Sequence, residues 1–262
     1  MSTSPISSRT VPERRAELAT RLARVRTRIA DACAAAGRDR AGVTLVAVTK
    51  SYPASDVLHL AGLGIRDIGE NRDQEAAPKA AEVAAAGEQV RWHFVGQLQR
   101  NKCRSVVGYA TLVHSVDSVR LAQALARAAA RHREEPLEVL VQVSVDGDPA
   151  RGGAIPPGTL TDAGAGAGAG VEPDRQLDRV AAAVADAPAL RLRGVMTVAP
   201  MEWAPERAFE RLATVATELR VRYPTADLIS AGMSGDLEQA VAFGATHVRI
   251  GSALLGNRPA LR

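Results

Sequence analysis

The chain has 262 residues and a net charge of +4, with 46% hydrophobic but only 3% aromatic residues. This length suits one large α/β domain, and the scarcity of aromatic rings argues against a base-stacking surface for single-stranded nucleic acid. No uninterrupted apolar run reaches about eighteen residues, so we expect no membrane-spanning helix.

The two cysteines, Cys33 and Cys103, lie too far apart in sequence to form a metal or redox motif, and they make no disulfide framework. Residues 1–15 lack the apolar segment of a secretory signal. The sequence therefore predicts a cytoplasmic protein with free thiols and no metal ion. We expect residues 1–11 to be disordered.

An amphipathic helix over residues 12–37 is the first predicted element. Its apolar positions recur at helical spacing, and they are Leu18, Leu22, Val25 and Ile29. The same segment carries a group of arginines, namely Arg14, Arg15, Arg21, Arg24, Arg26 and Arg28. These arginines form either a basic surface for nucleic acid or the solvated side of the helix. We favour the solvated side, because they alternate with the apolar stripe.

Short apolar runs then alternate with amphipathic, Ala-rich segments. The predicted strands are 43–49, 65–68, 92–96, 111–114, 138–145, 193–198, 227–231 and 247–250, and the predicted helices between them are 53–62, 72–86, 99–107, 118–133, 173–187, 205–222 and 235–243. Such alternation requires parallel strands with right-handed crossovers. It predicts an α/β fold, a single TIM-like (β/α)8 barrel with an extra N-terminal helix. An open doubly wound sheet is the alternative, but no Gly-x-Gly-x-x-Gly follows the first strand.

Residues 150–171 interrupt the alternation of strands and helices, and they contain an alternating Gly-Ala tract. The tract offers neither core side chains nor helix propensity, so we expect a flexible surface loop after the fifth strand. No other segment resembles a linker, and residues 1–262 are predicted to form one domain.

Lys50 ends the first predicted strand, a buried and β-branched run. Its amine is expected to lie near the sheet interior, at the mouth of a pocket. Partial burial disfavours the ammonium form and lowers the pKa, which makes the amine a nucleophile or a Schiff-base partner. The alternative is a surface lysine that marks the end of a strand.

Two turns containing serine and glycine follow the last two predicted strands, where (β/α)8 barrels often bind phosphate. Ser234 stands in the first turn, at a predicted helix N-cap, and Gly251 and Ser252 form the second. An ordinary N-cap would explain Ser234 without any ligand. Together with Lys50, the two turns predict a phosphorylated ligand that carries a carbonyl group.

Arg249 lies two residues before Gly251, so strand alternation directs both residues to the same side. An arginine at that depth needs a hydrogen-bond acceptor. One candidate is the ring nitrogen of a pyridoxal-phosphate cofactor, for which arginine is a known partner. The other is a neighbouring carboxylate such as Glu70.

Six segments carry a family resemblance. They read AVTKSYPASDV, DIGENRDQEAAPKA, WHFVGQLQRNK, HSVDS, GVMTVAPM and SAGMSGDLEQAVAFGATHVRIGSALLG. Together they resemble the YggS/PROSC family of pyridoxal phosphate homeostasis proteins, over nearly the whole chain after about residue 12. The resemblance implies a barrel like the N-terminal domain of alanine racemase, which binds pyridoxal 5′-phosphate as a lysine aldimine.

The resemblance also implies roles for individual residues. Lys50 in VTKSYP matches the aldimine lysine, and Arg249 matches the residue near the pyridine nitrogen. The residues that match the phosphate site are Ser234, Gly251 and Ser252. Asn71 in GEN is expected to line the site. The alternative is an asparagine that only forms a turn, which would give the same sequence pattern.

Some positions depart from the family pattern or resist interpretation. His93 in WHFVG faces either into the barrel or away from it, depending on the register. Gln97 replaces a proline that many relatives have, and residues 150–154 (ARGGA) lack a lysine that relatives often carry there. The Gly-Ala tract resembles an insertion, and its position in a loop should leave the site intact.

Three functions account for these features. A pyridoxal phosphate carrier would store, buffer or deliver the cofactor, and delivery would bring it into transient contact with apo-enzymes. A racemase would need a second base, which alanine racemases take from a separate C-terminal domain. Here the chain stops at Arg262, and Tyr52 is the one tyrosine near the mouth. An aldolase would leave Arg249 without a role. We expect a carrier that is not an enzyme, is monomeric, and binds neither nucleic acid nor membrane.

Overall fold

A computed structural model describes residues 10–148, 151–158 and 172–256 of the chain. Eight parallel strands follow one another around a closed barrel in sequence order, and the first pairs with the last. The strands are β1 (Thr44–Val48), β2 (Asp67–Glu70), β3 (Arg91–Phe94), β4 (Ala110–Val116), β5 (Leu137–Gln142), β6 (Leu190–Met196), β7 (Leu228–Ser230) and β8 (His247–Ile250). The predicted (β/α)8 barrel is confirmed, and the open sheet is excluded.

The helices cover the outside of the barrel. They are α1 (Val11–Ala35), α2 (Ala54–Gly62), α3 (Asp73–Ala85), α4 (Cys103–Val106), α5 (Val119–His132), α6 (Leu177–Ala185), α7 (Pro205–Arg222), α8 (Leu237–Ala242) and α9 (Ser252–Leu255). The helix expected over 99–107 is divided into a 3₁₀ turn, Arg100–Lys102, and the short α4. None of the helices in the described ranges combines the length and apolar character needed to cross a bilayer.

Helix α1 is the extra N-terminal helix, and its apolar stripe is buried as expected, at Leu18, Leu22, Val25 and Ile29. Two arginines of its other side bind acidic groups of neighbouring helices. Arg14 pairs with Asp56 at 2.6 Å, and Arg28 pairs with Glu238 at 2.7 Å. These ion pairs join α1 to α2 and α8. The expected solvated side is therefore only partly correct: Arg15, Arg24 and Arg26 are exposed, whereas Arg14 and Arg28 hold α1 against its neighbours.

Part of the segment expected to be a surface loop packs against the barrel. Val143 and Ala154 form a parallel bridge, as do Ile155 and Gln176, and Ala154 is fully buried. A Cβ on Gly153 would lie 2.6 Å from the backbone nitrogen of Ser144, so this approach requires a glycine. The Gly-Ala tract itself, residues 163–170, lies outside the described residues, and so do residues 1–9 of the segment expected to be disordered.

A buried ion pair lies between β2 and α3, directly behind the end of β1. Lys79 Nζ is 2.5 Å from Glu70 Oε1 and donates to the Thr49 carbonyl at 2.9 Å. The Thr49 hydroxyl donates to the same Glu70 oxygen at 2.6 Å. Burial raises the pKa of Glu70, and the charge and hydrogen bond of Lys79 oppose that rise. These bonds fix the backbone immediately before Lys50.

Candidate functional site

A pocket of about 570 Å³ opens at the carboxyl ends of the strands, and it contains all six residues predicted for the site. Its volume lies within the range of about 300–1,000 Å³ that is usual for small-molecule sites. The lining residues are Val48, Lys50, Tyr52, Asn71, Val95, Gly96, Val198, Met233, Ser234, Gly235, Arg249, Gly251, Ser252 and Gly256. The fold therefore assembles a lysine, an arginine and two turns from distant parts of the chain.

Lys50 is the lysine that lines this pocket. The sequence has two others: Lys79 is buried against Glu70, and Lys102 lies 4.0 Å from Asp73. Ser51, the residue after Lys50, has a φ of 67°, a left-handed conformation that is uncommon for residues other than glycine. This turn is held by the Ser51 N–H, which donates to Glu75 at 3.0 Å.

Tyr52 forms one side of the pocket, in the same loop as Lys50. Its hydroxyl donates to the Gly256 carbonyl at 2.9 Å, which ties this loop to the end of α9. The guanidinium of Arg14 lies 5.6 Å from the centre of its ring. Helix α1 thus supports the pocket wall through Arg14, a contribution that the sequence pattern of the helix did not indicate.

The two serine- and glycine-containing turns meet beside the pocket. Ser234 Oγ accepts a hydrogen bond from the Ala253 N–H at 3.2 Å, and Arg28 donates to the Ser234 carbonyl at 3.0 Å. The expected role of Ser234 as a helix N-cap is wrong, because α8 begins after Asp236. The Asp236 carboxylate accepts from the Met233 N–H at 2.6 Å and closes that turn itself.

Arg249 is 5% exposed and donates two hydrogen bonds, to Ser230 Oγ at 2.6 Å and to the Thr197 carbonyl at 2.8 Å. The alternative of an ion pair with Glu70 is wrong, since Glu70 pairs with Lys79 instead. Burial lowers the pKa of Arg249 to about 10, so the guanidinium stays protonated at neutral pH.

Asn71 follows β2 and reaches the pocket through a close backbone contact with Gly96. A Cβ on Gly96 would collide with the Asn71 backbone, 2.7 Å from its Cα atom. Only a glycine allows the loop after β3 to approach this closely. Asn71 lines the pocket, and its role toward a ligand stays a prediction. The contribution of Gly96 was not predicted.

His93 faces into the barrel but does not line the pocket. It is 3% exposed and bonds to His114 and Asp67. Gln97 lies outside the pocket as well, on an open groove of about 770 Å³ between the loops after β3 and β4. Within the described ranges, no cluster of three or more His, Cys, Asp or Glu side chains is arranged to hold a metal ion.

Comparisons with known proteins agree with this arrangement. Residues 21–259 match the family model described as alanine racemase, N-terminal domain. A pyridoxal phosphate homeostasis protein of Mycobacterium tuberculosis is 45% identical, over 94% of this chain and 95% of the relative. One from Escherichia coli is 36% identical, over 92% and 97%.

A solved structure is similar over almost the same length. PipY of Synechococcus elongatus, solved with PLP bound, is 31% identical with a TM-score of 0.71, over 91% of this chain and 100% of that one. The sequence match, the barrel and the composition of the pocket lead to the same assignment. This chain belongs to the family of pyridoxal phosphate homeostasis proteins, whose barrel is of the alanine racemase N-terminal type.

Proposed function

We propose that this protein binds pyridoxal 5′-phosphate in the pocket at the carboxyl ends of the strands and acts in the homeostasis of that cofactor. The observation that carries this proposal is the convergence of Lys50, Arg249 and the two serine- and glycine-containing turns on one pocket. PipY, which has PLP bound, and the relatives named for pyridoxal phosphate homeostasis support it.

The residues of the pocket fit the chemical groups of pyridoxal phosphate. The cofactor supplies an aldehyde, which condenses with a primary amine and releases water. Lys50 provides the amine. Ser234 and Ser252 offer hydroxyl donors for the phosphate, and the glycine turn at Gly251 offers backbone N–H groups.

Arg249 is the residue that donates a hydrogen bond to the pyridine ring of the cofactor. A guanidinium has five N–H donors, and the contacts of Arg249 to Ser230 and Thr197 within the described residues use two of them. Others can donate to an unprotonated ring nitrogen. Asn71 lines the same pocket.

Ser234→Ala tests the phosphate site. Loss of the hydroxyl removes a charge-assisted hydrogen bond worth about 1.5–3 kcal/mol, so pyridoxal phosphate should bind about tenfold or more weakly. Pyridoxal lacks the phosphate, and its affinity should hardly change. Fluorescence titration with both ligands makes the comparison. Equal losses for the two ligands would assign Ser234 to the turn structure alone.

The protein stores, buffers or delivers the cofactor, and it is not an amino-acid racemase. Arg249 remains protonated, so it donates to the ring nitrogen without protonating it, and the ring is a weaker electron sink. Tyr52 is held by the Gly256 carbonyl and comes from the same loop as Lys50. It is thus poorly suited to act as a base on the opposite face of a substrate.

Deuterium exchange separates the carrier from the racemase. The loaded protein is incubated with L-alanine or L-serine in deuterated water, and the Cα proton is followed by NMR. We expect no turnover above the rate of free pyridoxal phosphate. Enzyme-like deuterium incorporation that Lys50→Ala abolishes would establish the racemase instead.

The protein acts in the cytoplasm as a single-domain monomer, and it meets pyridoxal-phosphate-dependent apo-enzymes transiently when it delivers the cofactor. Size-exclusion chromatography with light scattering at micromolar concentration should give the mass of one chain, 27.5 kDa.

A further inference from the structure

A chain of hydrogen-bonded side chains runs through the interior of the barrel and ends at Arg249. Asp67 Oδ1 is 2.9 Å from His93 Nε2, and His93 Nδ1 is 2.8 Å from His114 Nε2. His114 Nδ1 is 2.9 Å from Ser230 Oγ, which accepts from Arg249 Nη1 at 2.6 Å. Each of these five residues is at most 7% exposed. We call this set the core relay.

The core relay joins the two ends of the barrel. Asp67 is the first residue of β2, and it also accepts two hydrogen bonds from Arg91, whose side chain is 60% exposed. Arg249 lies on β8 and lines the pocket at the opposite end. The relay crosses the barrel from β2 through β3, β4 and β7 to β8. The ion pair of exposed Arg91 with buried Asp67 is thereby connected to the pocket through buried polar atoms.

The two ends of the relay limit the directions that its hydrogen bonds can take. An arginine only donates, and an ionised carboxylate only accepts. Arg249 therefore donates to Ser230. We infer that the Ser230 hydroxyl donates to His114 Nδ1, because in the described part of the chain its other side-chain contact is the donating guanidinium of Arg249. His114 Nε2–H then donates to His93 Nδ1, and His93 Nε2–H donates to Asp67. With both histidines neutral and protonated at Nε2, every link has one donor and one acceptor.

Burial and neighbouring groups shift the pKa values of Asp67 and His114. Burial alone would raise the pKa of Asp67, but His93 and Arg91 outweigh it and lower the pKa to about 2. Burial is the main cause that lowers the pKa of His114 well below its ordinary range, so this ring is neutral at pH 7. The ring of His247 lies 5.9 Å from that of His93, and burial is the main cause that lowers its pKa to about 4.

We propose that Asp67, His93, His114 and Ser230 act as positioning residues that hold the Arg249 guanidinium toward the ring of the bound cofactor. Hydrogen bonds in such a chain polarise one another, so the Asp67 carboxylate makes Ser230 Oγ a stronger acceptor for Arg249. A charge at the amino-terminal end of the barrel thus influences binding at the carboxyl end. This inference rests on the proposed function, because it places the cofactor ring beside Arg249.

Histidine NMR tests the order of the hydrogen bonds without any cofactor. Two-bond ¹H–¹⁵N correlations of the full chain, purified without pyridoxal phosphate at neutral pH, distinguish the ring tautomers. His93 and His114 should both appear as neutral rings protonated at Nε2. An Nδ1–H tautomer of His114, or a doubly protonated His93, would overturn the proposed order.

Asp67→Asn tests the effect on the cofactor. The amide that replaces the carboxylate can still accept from His93, but the charge is gone, and cooperative strengthening is about 10–30% per bond. We expect pyridoxal phosphate to bind about two- to fivefold more weakly, with no change for 1-deazapyridoxal phosphate, which lacks the ring nitrogen. Ser230→Ala breaks the last link and should show the same ligand dependence, at least as strongly.

Asp227→Asn is the matched control. Asp227 is also a carboxylate at the amino-terminal end of the barrel, but it pairs with Arg193 at 3.2 Å and is not a member of the relay. Its removal should leave both affinities unchanged. Equal losses of both ligands in Asp67→Asn, or losses matched by Asp227→Asn, would reduce the relay to a structural role. If the unaltered chain binds no pyridoxal phosphate, the proposed function is wrong, and so is the part of this inference that concerns the cofactor. The histidine NMR experiment needs no cofactor, so it still tests the order of the hydrogen bonds.

Discussion

Lys50→Ala should abolish the covalent adduct between this protein and pyridoxal phosphate. The other two lysines are unsuited to replace it, because Lys79 is buried in an ion pair with Glu70 and Lys102 lies outside the pocket. Borohydride reduction of the loaded protein, followed by intact mass measurement, should show one added phosphopyridoxyl group in the parent chain. The variant should show none.

Lys102→Ala is the matched control for this loss, and it should form the adduct at the level of the parent chain. The Lys50→Ala variant should still bind the cofactor noncovalently, since Ser234, Ser252 and Arg249 are untouched. An adduct of equal yield in Lys50→Ala would show that a different amine carries the cofactor.

Lys79→Met is expected to cause the largest loss of stability. The substitution leaves the Glu70 carboxylate buried without its partner, and breaking a buried ion pair in this way costs about 3–5 kcal/mol of unfolding free energy. Glu70 is fully buried, and its Oε2 atom has no hydrogen-bond partner within the described part of the chain, so the Thr49 hydroxyl on Oε1 would have to compensate for the lost charge. Urea denaturation at pH 7 measures the change.

Two variants make this result specific. Glu70→Gln combined with Lys79→Met removes both charges, keeps an acceptor for the Thr49 hydroxyl, and should restore most of the lost stability. Lys102→Met removes a lysine that is 4.0 Å from Asp73 and 31% exposed, and should cost less than about 1 kcal/mol. A double variant as unstable as Lys79→Met would show that the methylenes of Lys79, rather than its charge, support α3.

The architecture follows from the sequence because each repeat contains a buried β-branched run and an amphipathic helix. Such local patterns predict parallel strands and their order, and all eight predicted strands overlap observed ones. Short elements could not be predicted in this way. Helix α9 has four residues, too few to show a helical period, and α4 likewise fills only the end of its predicted range.

The pocket could be predicted for a related reason. Lys50, Ser234, Arg249 and Gly251 all stand at or just beyond the ends of predicted strands, and parallel strands bring their carboxyl ends to one face. The cap assignment of Ser234 was wrong because Asp236, two residues later, competes for the same helix start. A carboxylate and a hydroxyl are both good caps, and their sequence spacing does not decide between them.

The core relay could not be found from the sequence. Its residues come from β2, β3, β4, β7 and β8, and His114 and Ser230 lie 116 positions apart. Alternation indicates which side chains face inward, but the pairing of two inward residues depends on the stagger between strands. Here β3 and β4 shift register between Trp92 and His93, which no local pattern reveals.

Peptide mapping of the borohydride-reduced protein tests the central claim most directly. The parent chain is loaded with pyridoxal phosphate, reduced, digested and analysed by tandem mass spectrometry. We predict one phosphopyridoxyl group per chain, on the peptide that contains Lys50. Modification spread over Lys102 and the N-terminal amine, or no modification of Lys50 at saturating cofactor, would contradict the assignment of this pocket as the pyridoxal phosphate site.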